Sequence, residues 1–256
     1  MYINYENTFR MKERIQMLNT FVDNLSMNET IDWVNSAINE KKQIHHTVVN
    51  AGKINLLQKD LVLRESVNSA DIINADGVAV VWAAKFLGKP LKERVAGIDL
   101  MTELIENAAR NNQKIYLFGA KENVVSKLVE IYSNKYGKEV IAGFRNGYFR
   151  EDEESSIMQN IAASGANLLF VAISSPKKEN LLYKYRETLK NINFIMGVGG
   201  SFDVLTGNVK RAPIWMQKIG MEWFYRLIQE PKRMWKRYLI GNPKFIFLVL
   251  KEKFRF

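Results

Sequence analysis

The 256-residue chain has no cysteine. Disulfides and thiolate metal sites are thereby excluded, and a reducing compartment is the natural setting. Histidine is nearly missing too: the two that exist, His45 and His46, are adjacent at a strand start rather than spaced as ligands, and no D-x-D pair stands at a strand end. A metal site is therefore not expected. No apolar run approaches the roughly 20 residues that span a bilayer; "FIFLVL" near the end is far too short. The opening "MYINYENTFRMKERIQ" has no apolar core followed by a small-residue cleavage site, so no secretory signal is expected. The last fifth is short of acid. From Arg211 to Phe256 stand eleven Lys/Arg against three Glu, so this segment holds +8 of the chain's net +10.

That imbalance points to a polyanionic partner: nucleic acid, a phosphoinositide-like surface or anionic lipid. A charge run is usually a solvated helix face. Here the interleaved Trp215, Trp223, Phe224, Tyr225, Trp235 and Tyr238 weigh against that. The last stretch sets Phe245, Ile246, Leu248, Val249 and Phe254 against Lys244, Lys251, Lys253 and Arg255. It suits an interfacial helix, and packing on protein is equally compatible.

Hydrophobic residues make up 47% of the chain, enough for a large core. "HTVVN", "DIIN", "KIYLFGA", "EVIAGF", "NLLFVAI" and "NFIMGVGG" read as buried strands, separated by segments of helical period. Ser26 and Glu29 form a capping box before one such helix. The alternation predicts an α/β fold: a Rossmann-like, mainly parallel sheet with helices on both faces, plus a C-terminal helical appendage. The expected divisions are an N-terminal extension over 1–20, the α/β domain over 21–210 and a basic aromatic appendage over 211–256, broken at Pro231 and at Gly241–Pro243.

Ligands of such sheets bind at the carboxyl ends of the strands. Those ends carry Asn50, "NADG" with Asn74 and Asp76, "FGA" with Gly119, "SSPKKE" with Lys178 and Glu179, and "GVGGSFD" with Gly199, Gly200 and Ser201. Several glycines together suit close approach of a nucleotide to the backbone. A dinucleotide fingerprint is absent, because the first strand of the six is followed by a single glycine, which argues against an NAD enzyme. Asp76 suits a general base in an apolar shell, but spacing alone favours an N-cap. Asp99 either caps its own helix or pairs with Arg94. If a phosphate leaving group departs, arginines suit the task through their planar fork; Arg211, Arg226, Arg233 and Arg237 are the candidates. Spacings of seven and four put the last three near one helical face, with Pro231 interrupting.

"NADG", "RVAGIDL", "SPKKE", "GVGGSFDVLTGNVKRAP" and "GMEWFYRLIQEPKRMWKR" together resemble the WecG/TagA/CpsF glycosyltransferases over about Phe21 to Tyr238. The resemblance implies an inverting, metal-independent, cofactor-free hexosyltransferase. Such an enzyme moves a sugar, typically N-acetylmannosamine or its uronic acid, from a UDP-sugar to a polyprenyl-pyrophosphate-linked saccharide in cell-surface polysaccharide or teichoic acid synthesis. It implies a cytoplasmic protein, peripheral on the inner membrane face, exchanging between homo-oligomer and monomer. It also implies Asp76 as general base, with Arg226 and Arg233 near the diphosphate. Two departures bear on the donor. Lys178 stands where many members have glutamine, and Val48 where some have threonine. A nucleic-acid-binding module and a non-catalytic membrane scaffold are the competing readings; the first leaves "NADG" and the strand-end glycines without a purpose, and the second, with the α/β domain as a relic, would be disposed of by hydrolysis or transfer of a UDP-sugar.

Overall fold

The computed structural model describes residues 13–255 except the side chain of Arg233. Residues 1–12 of the expected N-terminal extension lie outside the described residues. The described chain begins with a hairpin, β1 (Arg14–Met17) and β2 (Thr20–Asp23), that straddles the boundary expected at residue 20. Its two-residue turn, Leu18 and Asn19, takes positive φ at both positions (50° and 60°), as the twist of a tight hairpin demands. Arg14 grips Asp23 through two bonds, at 2.8 and 3.0 Å, while Asp23 accepts from the Ile73 amide at 2.7 Å. The hairpin is thus pinned to the edge of the main sheet.

The six apolar runs form that sheet. After α1 (Met27–Asn39) come β3 (Ile44–Val49), α2 (Ala51–Leu57), α3 (Leu61–Asn68), β4 (Ile72–Ala75), α4 (Val78–Phe86) and α5 (Gly97–Arg110). Next come β5 (Ile115–Gly119), α6 (Glu122–Tyr136), β6 (Ile141–Arg145), α7 (Glu154–Ala162), β7 (Leu168–Ala172), α8 (Lys177–Lys184), β8 (Phe194–Gly197) and α9 (Ser201–Leu205). The strand order is β4-β3-β8-β7-β5-β6, with every pairing parallel. The strands read as unbroken apolar runs because both faces are covered. Ile115, Leu117, Phe170, Phe194 and Met196 pack under α1, α5 and α6. The alternate residues Phe118, Leu169, Val171 and Ile195 pack under α7 and α8. The capping box expected at Ser26 and Glu29 is present.

Beyond Pro213 the chain is helical: α10 (Ile214–Lys218), α11 (Glu222–Gln229), α12 (Pro231–Trp235) and α13 (Gly241–Phe254). Pro231 opens α12, at the position where its missing N–H is not needed. The break expected at Gly241–Pro243 is not one. A turn of wider helix over Lys236–Ile240 leads straight into α13, and Pro243 falls within the first turn, where its missing N–H costs nothing. The last helix packs on protein with one face. Phe245 and Val249 are buried with Ile15, Met17 and Ile54, and Glu252 accepts from the Leu18 amide at 2.6 Å. Each such apolar side chain stabilises by about 1.5–3 kcal/mol, so the appendage is bound to the domain at its far end.

Candidate active site

The appendage meets the carboxyl ends of β3, β4 and β8: Arg237 lies by Gly52, Gly220 by Val78 and Arg226 by Gly200. Asp76 is the first residue past β4, with its amide donating to Val49 O at 2.8 Å. The N-cap role that spacing favoured is not taken. Gly77 is the N-cap of α4, with no side-chain bond, and its φ of +146° is one that suits glycine. Nor does Asp76 cap α5, whose N-cap is Ala96, again without a side-chain bond. Among the described residues the Asp76 carboxylate makes no hydrogen bond. Apolar side chains share the space beside it at Gly97, where an added Cβ would lie 3.4 Å from Met196 Cε, 3.9 Å from Val48 Cγ1 and 4.0 Å from Asp76 Oδ2. Burial pushes the Asp76 carboxyl above the ordinary range, Arg94, Lys53 and Arg237 pull it back, and Glu222 adds to the rise.

Two arginines come to this opening from different elements, so the single helical face suggested by their spacing does not exist. Arg226, on α11, lies over the glycine loop, with Nη2 3.2 Å from where a Gly200 Cβ would stand. Its Nε is buried without a partner among the described residues. Arg237 lies over the start of α2. A Cβ on Gly52 would be 3.3 Å from its Nε and 3.4 Å from Asn50 Oδ1. Asn50 caps α2, accepting from the Lys53 amide at 3.0 Å. The Arg233 side chain lies outside the described residues.

The remaining expected residues divide. Arg211 holds Asp99 in a fork, at 2.5 and 2.7 Å, and Arg94 pairs with Glu222 at 3.1 Å. Asp99 therefore neither caps its helix by a side-chain bond nor pairs with Arg94; it ties the appendage to α5. Asn74 is not at the opening: it is fully buried, 2.8 Å from His46 Nε2 and beside Thr30. Gly119, at φ +130°, is required by packing, since a Cβ would come within 2.5 Å of the Ala172 backbone. Gly199, at φ +55°, has open space where a Cβ would project. The Ser201 hydroxyl is spent on Val198 O at 2.8 Å.

Lys178 and Glu179, in the first turn of α8, form a buried cluster with a residue the sequence did not single out, Lys53. Glu179 Oε1 accepts from Lys53 Nζ at 2.8 Å, Lys178 Nζ at 2.6 Å and Ser175 Oγ at 2.8 Å. Among the described residues Glu179 Oε2 has no partner. Gly197 makes room, because a Cβ there would meet Lys178 Cε at 2.8 Å. Burial alone would raise the Glu179 carboxyl, but the two ammoniums overrule it and hold it at about 2. With two cations on one anion, a lysine is the group that yields its proton. Burial and then the Lys53 charge bring Lys178 down to about 8.

This buried lysine makes stability depend on pH. Between pH 8 and about 10.4 the unfolded chain binds the Lys178 proton and the folded chain does not, so this group makes stability rise with pH across that window. Lys178→Gln removes the surplus buried charge. Its melting temperature at pH 7 is expected to exceed that of the parent by about 2–5 °C, with the gap closing by pH 10. A pH-independent gap in paired melting curves would refute the charge assignment.

The model of the glycosyl transferase WecG/TagA/CpsF family matches residues 15–256. The chain is 38% identical over 186 residues to an N-acetylglucosaminyldiphosphoundecaprenol N-acetyl-beta-D-mannosaminyltransferase of Bacillus spizizenii (strain ATCC 23059 / NRRL B-14472 / W23), covering 73% of this chain and 70% of that one. It is likewise 38% identical over 195 residues to the enzyme of the same name from Bacillus subtilis (strain 168), covering 76% and 74%.

Proposed function

The chain belongs to the WecG/TagA/CpsF family of glycosyltransferases, and on that premise we propose that it moves N-acetylmannosamine, or a related hexose or uronic acid, from a UDP-sugar to a polyprenyl-pyrophosphate-linked saccharide. It is an enzyme, so the readings as a nucleic-acid module or a non-catalytic scaffold are set aside. The acceptor class is that of the two relatives named as acting on N-acetylglucosaminyldiphosphoundecaprenol. The observation that carries the reading is Asp76: a carboxylate of raised proton affinity, engaged in no cap, facing cations that the appendage brings to the opening.

In the proposed reaction Asp76 takes the proton from the acceptor hydroxyl as that oxygen attacks the anomeric carbon from the face opposite the leaving group. The bond to the UDP β-phosphate oxygen breaks, and the configuration inverts. Negative charge grows on the diphosphate, where Arg226 and Arg237 supply fixed positive charge in a partly desolvated setting. These cations do the work that a divalent metal does elsewhere, so the reading requires neither a metal nor a cofactor.

The lipid-linked acceptor calls for a membrane surface. No helix among the described residues is long and apolar enough to cross one. The outward side of the appendage is nonetheless apolar, with Leu239 60%, Ile246 57% and Phe254 64% exposed, amid the basic residues of the segment. An amphipathic helix of that kind lies in the interface of an anionic leaflet, and its binding weakens with salt. One experiment tests both parts. The protein is incubated with a panel of UDP-sugars and a short-chain lipid-diphosphate-GlcNAc in anionic vesicles containing EDTA, and product mass and sedimentation are recorded. A mass gain of one sugar, a HexNAc or the related hexose or uronic acid, is expected, together with vesicle binding that falls in high salt and in an Ile246→Glu/Phe254→Glu variant. No product from any UDP-sugar would overturn the donor class, and EDTA-sensitive transfer would overturn metal independence. Sedimentation untouched by salt and by the double substitution would remove the membrane role.

A further inference from the structure

Glu222 opens α11, the helix that carries Arg226, and its carboxylate is shared between two parts of the molecule. Arg94 Nη1, from the loop ahead of α5, donates to Oε2 at 3.1 Å, and Arg211 Nε approaches Oε1 at 3.9 Å. Arg211 spends its other nitrogens on Asp99. Arg94, Glu222, Arg211 and Asp99 thus alternate in sign along one line, from the domain to the appendage and back.

As a clamp the line is weak. The Arg94 and Glu222 side chains are 20% and 37% exposed, and exposed pairs of this kind contribute about 0.2–1 kcal/mol. Its consequence lies at Asp76, where both ends of the pair are placed: the Val95 amide, next to Arg94, donates to Ala75 O at 3.0 Å, and a Cβ on Gly220, two residues before Glu222, would lie 3.2 Å from Val78 Cβ. The strongest charges acting there come from every element around it: Lys53 from α2, Arg94 from the loop before α5, Arg237 from the turn after α12, Arg211 from the start of the appendage, and Glu222. Four are cations; Glu222 is the anion among them. Asp99, the other anion of the line, is engaged by both terminal nitrogens of Arg211, so removing Glu222 shifts the balance around the carboxylate toward positive charge. Arg94 is released from its partner at the same moment.

We infer that Glu222 is a positioning residue for the transfer reaction: by engaging Arg94 and offsetting the surrounding cations, it keeps Asp76 basic enough to accept a proton once the appendage is docked. The inference rests on the reading of Asp76 as the base. It separates two duties of the appendage, which brings cations for the leaving group and one anion for the base. Without that anion, the cations that favour departure of the diphosphate would also disarm the base.

The test is the Asp76 titration in the full-length, substrate-free protein, followed by 13C NMR of labelled Asp carboxyls and assigned by the signal missing from Asp76→Asn. Glu222→Gln, nearly isosteric, is expected to lower the midpoint by about one pH unit and to move the acid limb of kcat/KM equally. Turnover above that limb should drop a few-fold, as a weaker base requires. Glu222→Asp, which keeps the charge, should hold the midpoint near that of the parent. A midpoint unmoved or raised in Glu222→Gln, even with activity lost, overturns the inference and reduces Glu222 to a tether. A shift of midpoint with no shift of the acid limb overturns the base assignment instead, since Asp76 would then titrate as argued without governing turnover.

Discussion

Asp76→Asn is expected to bind a UDP-sugar within about threefold of the parent while turnover falls by roughly 10²–10⁴-fold, the usual range for a lost general base. The substitution keeps shape and removes only the ability to hold a proton. The pH dependence has a definite sign. Burial raises the Asp76 carboxyl above its ordinary range, so activity in the parent should fade, as pH drops, at a higher pH than for an exposed aspartate. Stability should move the other way from activity. An acid whose folded-state proton affinity exceeds that of the unfolded chain costs stability wherever it is ionised. Asp76→Asn should therefore melt at or above the temperature of the parent at pH 7, which separates loss of chemistry from loss of fold. The paired measurement is single-turnover transfer beside UDP-sugar binding by calorimetry. Turnover within tenfold of the parent would remove Asp76 from the role.

The placement of Asp76 illustrates what the sequence discloses and what it withholds. The strands were legible because a parallel sheet covered on both faces needs unbroken Val, Ile, Leu and Phe, and little else produces such runs at this spacing. The carboxyl ends then named the neighbourhood of the site. Within "NADG" the reading failed by one step of the pleat. β4 ends at Ala75, so Asn74 is still in the strand and turns into the core toward His46, whereas Asp76 is past it and free of the ladder. The hairpin was missed because its turn is Leu18-Asn19 rather than a glycine pair. Leu18 is held there from afar: its amide donates to Glu252 at 2.6 Å and its carbonyl accepts from Gln58 at 2.8 Å. Lys53 was invisible for the same kind of reason, since it meets Glu179 only where α2 and α8 converge. Glu222 did leave a signal, as the lone acid between Arg211 and Gln229, but one acid among cations has meaning only once its partners are known.

Arg226→Ala is expected to lower kcat/KM by about 10²–10³-fold, the range for removing a fixed donor aimed at developing charge. Most of that loss should fall on kcat, because the diphosphate gains its charge as the bond to the sugar breaks. The structural grounds are position and lack of employment. The guanidinium lies 3.2 Å from the projected Gly200 Cβ, beside Gly199 with its open surroundings, so backbone and side chain leave room for a phosphate chain. Among the described residues it makes no hydrogen bond, and its Nε is buried without a partner. A donor withdrawn from water and left unpaired is costly, roughly 1–3 kcal/mol or more. Folding therefore gains nothing from Arg226, and the variant should melt no lower than the parent. Arg226→Lys tests geometry against charge. A single ammonium restores the charge and lacks the planar fork, so it should recover a minor part of the rate and bind UDP more weakly than the parent. Full recovery by lysine would reduce the contribution to bulk charge, and a rate within threefold of the parent in Arg226→Ala would take this arginine out of the leaving-group site.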